Sequence, residues 1–238
     1  MIKSLAKLSC AVVFAVSAAG VAHAGAVLTN GNFENGLTGW TSYTTANGTI
    51  AELPSLPGSP APQSASVVSF NTKGTGVSNA LFLNAGKING PYNSNPGEGG
   101  GIFQSFTTTG GVATFSADIA AFYTRTSGAS GLGLLSVLID GVILDSHDFG
   151  DVTGGPVTLR STLGFTTNLS AGTHILSLQA TRLFAPGRGV DSQYFDNVSL
   201  DVVAVPEPAT WAITLMGFGL MGASLRYRRR SMAVALAV

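Results

Sequence analysis

Polar and apolar positions divide the chain into three stretches. Apolar runs without alternation occupy residues 8–22 and 209–225, and between them short apolar or alternating runs recur, each bounded by Gly, Pro or Asn. The middle never sustains the 3.6-residue period of an amphipathic helix, whereas a period of two between turn residues marks strands. Strands are expected at 80–84, 102–107, 112–122, 134–140, 142–146, 158–166, 173–182 and 194–203. Eight such runs predict an all-β fold, an antiparallel β-sandwich formed as one domain over residues 25–203.

Two local signals sharpen that reading. In LLSVLIDGVILDS, Asp140-Gly141 separates two runs rich in Val, Ile and Leu, and Gly accepts the positive φ of a tight hairpin turn, so the flanking strands should pair directly. In ILSLQAT, Ile175, Ser177 and Gln179 alternate with Leu176, Leu178 and Ala180, setting a wetter face against a drier one. The segment 52–64 has four prolines, which cannot donate to a ladder, and is predicted as a loop. A second long loop is predicted at 85–101, with Tyr92 in its middle.

The ends carry addresses. Lys3 and Lys7 precede the 15-residue apolar run, and Ala22-His23-Ala24 supplies small residues at −1 and −3, the layout of a secretory signal peptide cleaved after Ala24. Fifteen helical residues reach about 22 Å, short of a hydrocarbon core near 30 Å. Cys10 lies inside this peptide and is the chain's one cysteine, so a mature chain beginning at Gly25 has no thiol for a disulfide, a nucleophile or a zinc site.

At the other end the 17 uncharged residues 209–225 predict a single transmembrane helix, with Trp211 at the interface and Arg226, Arg228, Arg229 and Arg230 as a basic stop on the cytoplasmic side. Just ahead stand Val205, Pro206, Glu207 and Pro208, whose prolines hold the backbone extended and accessible. Gly217, Gly219 and Gly222 read as small residues for helix packing, because no strand-to-helix turn makes their spacing a dinucleotide site. As a whole, VPEPATWAITLMGFGLMGASLRYRRR resembles the PEP-CTERM sorting signal of Gram-negative bacteria. The resemblance implies export through the inner membrane, transient anchoring facing the periplasm, processing near the motif by an exosortase-type enzyme, and delivery to the envelope surface or extracellular matrix. Residues 231–238 form an apolar tail beyond the arginines, where such signals usually stop.

The 238 residues carry 12 Lys and Arg against 12 Asp and Glu, only 10% charged in all, where about 25% is usual. Within residues 25–203 the balance is six basic to eleven acidic, which excludes a nucleic-acid partner, since phosphate binding needs clustered Lys and Arg. His147 sits among Asp145, Asp148 and Asp151 and reads as part of a solvated loop; His174 follows a Gly turn and reads as structural. The body holds no H-E-x-x-H, G-x-S-x-G or phosphate loop, and no carboxylate pair is singled out by spacing. No catalytic residue is assigned, and the chain is read as a non-enzyme.

Asn30-Gly31-Asn32-Phe33-Glu34 with Gly39-Trp40, and the closing run Tyr194-Phe195-Asp196-Asn197-Val198-Ser199-Leu200, resemble the first and last strands of jelly-roll carbohydrate-binding modules and related galactose-binding-like domains. The resemblance implies a structural calcium held by Glu34 and Asp196; no other cofactor is expected. Aromatic faces stack on sugar rings, and among Trp40, Tyr43, Tyr92, Tyr123 and Tyr194 the assigned carbohydrate contacts are Tyr92 and Tyr123, with Trp40 weighted to the core. The leading expectation is a non-enzymatic exported envelope or matrix protein. The rivals are a carbohydrate-binding protein recognising exopolysaccharide and a polysaccharide hydrolase or lyase.

Overall fold

A computed structural model describes residues 25–51, 64–87, 97–182, 191–204 and 208–235. Its strands are β1 Gly25–Ala26, β2 Thr41–Thr44, β3 Gly48–Thr49, β4 Ser66–Phe70, β5 Ser78–Leu83, β6 Gly86–Lys87, β7 Gly99–Tyr123, β8 Ala129–Gly131, β9 Leu134–Ile139, β10 Val142–Asp148, β11 Asp151–Thr153, β12 Val157–Thr181 and β13 Asp191–Val203. One helix, α1 Pro208–Ala235, follows. All pairings are antiparallel, and the main path runs β10-β9-β12-β7-β13-β5-β4, with β2 on β7 and β1 on β13.

The sandwich is organised by β7 and β12, 25 residues each, which pair along their whole length and serve both layers. Residues 99–109 of β7 lie between β2 and the second half of β12, with β9 and β10 beyond. Residues 111–123 lie between the first half of β12 and β13, with β5 and β4 beyond. Inward positions of β7 are even at first, Ile102, Gln104 and Phe106, and odd afterwards, Ala113 through Tyr123. Between them stand Gly110 (φ 86°) and Gly111 (φ 142°), backbone values that interrupt the strand's two-residue period and turn the ribbon over. Leu163 of β12 and Leu176, Leu178 and Ala180 after the bend make the matching switch, and both halves feed one apolar core with Phe33, Leu135, Phe195 and Leu200.

Each of the eight expected strands forms. The runs at 102–107 and 112–122 are one strand, β7, and those at 158–166 and 173–182 are another, β12, because the glycines between them bend the ladder without ending it. The Asp140-Gly141 turn has φ of 51° and 80° and joins β9 to β10 with Val142 opposite Ile139. His147 belongs to β10, not to a loop; its ring meets the Phe149 ring edge-on at 4.7 Å. β4 was not expected: Val67 packs on the core while Val68 and Phe70 pack on the opposite face, so its apolar residues do not alternate. The loop expected at 85–101 is bounded by strand at Gly86–Lys87 and from Gly99 onward. The signal peptide, 52–63 and Tyr92 lie outside the described residues.

The opening and closing motifs meet. The Val198 amide donates to the Gly31 carbonyl at 2.9 Å, and the Trp40 indole donates to the Asn30 carbonyl at 3.1 Å while packing 5.8 Å from the Phe33 ring. Trp40 is therefore a core residue, as weighted.

The C-terminal segment is helical over a longer span than expected, from Pro208 through the arginines to Ala235. Pro208 takes the first helical position, where its missing N–H costs no hydrogen bond. Ile213, Leu215, Met216, Phe218, Leu220 and Leu225 are all exposed. Among the described residues no helix is long and apolar enough to cross a membrane, which corrects the expectation of a transmembrane helix at 209–225. Thr210, Thr214, Gly217, Gly219, Gly222 and Ser224 dilute that run, and Arg226 ends it. Val205, Pro206 and Glu207 lie outside the described residues.

Candidate functional site

Because the even positions of β12 after its bend point inward, Ile175, Ser177 and Gln179 stand on the outer face of the same sheet. Register then decides their neighbours. Ser177 is flanked by Leu138 of β9 and Phe103 of β7; Gln179 is flanked by Ser136 and by Gly101, which pairs in turn with Tyr43 of β2. Since Gly101 carries no side chain, the Tyr43 hydroxyl reaches across the middle strand and donates to Gln179 Oε1 at 3.0 Å. The Tyr43 and Phe103 rings lie 6.2 Å apart at 58°. Tyr43, Phe103, Leu138, Gly141, Ile175, Ser177 and Gln179 line an open groove of about 370 Å³. Burial pushes the Tyr43 phenol up to about 12, against a smaller lowering by the Ser177 hydroxyl, so it remains a neutral donor.

This lining is apolar and aromatic with one amide and two hydroxyls, and it contains no carboxylate, histidine, lysine or arginine. Such a surface suits a neutral ligand with a flat apolar face and hydroxyls at its edge. The alternation at 175–179 pointed to it, with the drier face becoming core and the wetter face becoming groove. Phe103 and Leu138 gave no such signal, because only strand register brings them beside Ser177.

The aromatic residues chosen from sequence do not meet there. Tyr123 is 1% exposed and its hydroxyl donates to the Ser127 carbonyl at 3.1 Å, so it is a core residue and not a carbohydrate contact. Tyr194 lies in a separate cluster, its ring stacked 3.7 Å from Phe70 beside Phe82.

Glu34 and Asp196 do come to one corner. Asp196 is fully buried at the β-bulge that shifts β13 against β7, directly opposite Asp118. One of its oxygens accepts from the Asn197 amide at 2.6 Å and the other from the Ser78 hydroxyl. Asn197 donates on to Asp118 at 2.8 Å, and Glu34 accepts from the Asn79 side chain at 2.9 Å. Burial raises the Asp196 carboxyl above its ordinary range, with the Asp118 and Glu34 charges adding and the Ser78 and Asn197 bonds opposing. Among the described residues no group of three or more His, Cys, Asp or Glu is arranged to hold a metal ion. As they stand, the carboxylates are satisfied by amide and hydroxyl donors.

Arg226 is exposed in α1, and Trp211, Arg228, Arg229 and Arg230 fall within the same helix. Residues 204–230 match the PEP-CTERM protein-sorting motif. The chain carries this sorting motif. It implies an exported protein whose sorting is membrane-associated and whose processing falls to an exosortase. No curated protein sequence matches the chain. In strand arrangement the body is similar to the CBM22-1–GH10 modules of Clostridium thermocellum xylanase 10B complexed with xylohexaose, at 12% identity over 74% of this chain and 28% of that one, with a TM-score of 0.41. It is also similar to TmCBM61 in complex with β-1,4-galactotriose, at 12% identity, 74% and 97% coverage and a TM-score of 0.39. A Stig cyclase from Fischerella sp. TAU is comparable, at 14% identity, 77% and 100% coverage and a TM-score of 0.40. The chain spans little more than a quarter of the xylanase structure.

Proposed function

We propose that the mature protein is a non-enzymatic β-sandwich of the envelope surface or extracellular matrix, and that its sheet-face groove binds a neutral exopolysaccharide. The observation that carries this reading is the groove itself, where the Tyr43 ring lies beside the Phe103 ring and its hydroxyl holds the Gln179 amide. Glycan rings offer apolar C–H faces to aromatic side chains and hydroxyls to amides, so the lining matches both demands. The absence of any acid from that lining also supports binding over hydrolysis, since glycoside cleavage uses two carboxyl groups flanking the bond. The sorting step supplies the location: the exported body stays on the periplasmic side of the inner membrane until processing at the sorting motif releases it.

A glycan array probed with the mature protein tests this reading, followed by Tyr43→Ala and Phe103→Ala on whichever neutral glycan binds. Each substitution is expected to weaken binding about tenfold or more by removing an aromatic contact face, with the glycan recovered uncleaved. Binding unchanged in both variants removes the groove from the account, and shortened glycan chains would establish a hydrolase or lyase.

We further propose a structural calcium at the Glu34–Asp196 corner. What supports it is a fully buried carboxylate whose acting neighbour charges, Asp118 and Glu34, are both negative. Calcium takes six to eight oxygen ligands, backbone carbonyls included, and Glu34, Asp196 and the carbonyls of the Asn30–Asn32 turn would contribute to them. An ion that binds only the folded chain raises stability with its concentration. Melting of the mature protein is expected to rise in millimolar calcium and fall in chelator, with Asp196→Asn abolishing the difference; identical melting curves would exclude the ion.

A further inference from the structure

His174 is the one buried histidine of the described body, and it touches the frame of the groove without lining it. It precedes Ile175 on β12 and packs 5.6 Å from the Phe106 ring of β7. Both ring nitrogens have oxygen neighbours: Nδ1 lies 2.7 Å from Asp140 Oδ2, and Nε2 lies 3.0 Å from the Ser170 carbonyl. A carboxylate and a carbonyl only accept, so both contacts are hydrogen bonds only when both nitrogens carry protons, in the imidazolium. A neutral ring can donate to one of them and must turn a lone pair toward the other.

The two acceptors belong to different parts of the groove's frame. Asp140 is the first residue of the β9–β10 turn; its amide donates to the Ile175 carbonyl at 2.9 Å, and its Oδ1 accepts from the Ile175 amide at 2.9 Å. Gly141, next in the turn, and Ile175 both line the groove. Ser170 lies in the bend of β12, opposite Gly110 of β7. Protonated His174 thus fastens the turn at the groove's end to the bend of the ribbon.

We propose that His174 and Asp140 form a proton-operated latch on the groove: the imidazolium holds the Gly141–Ile175 end in its binding shape, and loss of a proton releases it. The latch rests on the reading of the groove as a glycan site and adds its regulation. His174 is faced by Asp140 from the turn, by the Ser170 carbonyl from its own strand and by Phe106 from β7; Asp140 is the charged group acting on it among the described residues. Bonding to Asp140, and then to Ser170, raises the His174 pKa above its ordinary value, with burial opposing. The bond from His174 holds the half-exposed Asp140 carboxyl below its own. A raised histidine pKa gives stabilisation that is full below the unfolded value of about 6.5 and lost as pH rises through the folded value. A depressed carboxyl gives stabilisation present above its unfolded value of about 3.9 and lost as pH falls through the folded one. The latch is therefore closed in weak acid and opens on the alkaline side of the histidine's titration.

The test is an NMR titration of isotope-labelled mature protein, joined to calorimetric binding of cellohexaose and xylohexaose below and above the His174 midpoint. The latch predicts two protonated imidazole nitrogens in weak acid, and Gly141 amide and Ile175 methyl shifts that titrate with His174. It also predicts hexaose affinity at least about fivefold weaker above the midpoint, with the dependence absent in His174→Gln. A single neutral tautomer in weak acid, or groove signals indifferent to the titration, overturns the latch. Hexaose binding of equal strength on both sides overturns it and leaves the groove standing. If neither hexaose binds at any pH, the groove reading has failed for these probes, and the NMR titration alone decides the latch. The wild-type titration also decides it if His174→Gln does not fold.

Discussion

Gly101→Ala is expected to destabilise the sandwich by about 3 kcal/mol or more, the largest effect of any single methyl group added near the groove. A Cβ at this position would stand 1.8 Å from the Leu178 carbonyl oxygen and 2.8 Å from its carbon, both backbone atoms of the adjacent strand. A flexible side chain can move aside, but β12 cannot without breaking its pairing with β7 on one side and β9 on the other. The same residue is the bare floor across which Tyr43 reaches Gln179, so a variant rescued from unfolding should still lose that bond. Chemical denaturation with circular dichroism measures the first effect. A Gly101→Ala protein as stable as wild type would mean that these strands are farther apart than described.

The second large effect concerns sorting. Replacing Pro206, Glu207 and Pro208 together by alanine is expected to abolish processing and leave the full-length precursor in the membrane fraction. The prolines prevent the helix from starting earlier, since Pro208 is tolerated at the first helical position, whereas a helix begun upstream would place it in the interior, where its ring clashes with the preceding turn. Three alanines remove that barrier and let α1 extend toward β13, hiding the segment a processing enzyme must reach. Reporter fusions supply the location behind this result: a reporter joined at Ser199 should read outside the cytoplasm. Normal release of the triple-alanine protein would disconnect the motif from processing.

How much of this was legible in sequence depended on whether a signal was local. The Asp140-Gly141 hairpin and the alternation of residues 175–180 are local, and both form as read. The sorting motif is also local and is matched over residues 204–230. The groove is not, and Phe103 and Tyr123 show why. Both occupy odd positions of β7, yet Phe103 lines the outer groove while Tyr123 is buried, because the turn of the ribbon at Gly110–Gly111 exchanges inside for outside between them. Period-two reasoning within either half is sound; carrying it across two positive-φ glycines reverses its meaning. Tyr43 reaches the groove through pairing with Gly101, 58 residues away, and no pattern around Tyr43 encodes that partner. The helix was legible in place but not in extent, because the arginines that end the apolar run do not end the helix: Arg residues are good helix formers.

Central to the account is an exported body that is separated from its C-terminal segment. C-terminal mass spectrometry of the protein released by its native host tests this most directly. The account predicts a last residue near Pro208, with Trp211 and the arginines Arg226, Arg228, Arg229 and Arg230 removed. A released protein that retains the intact arginine cluster would contradict it.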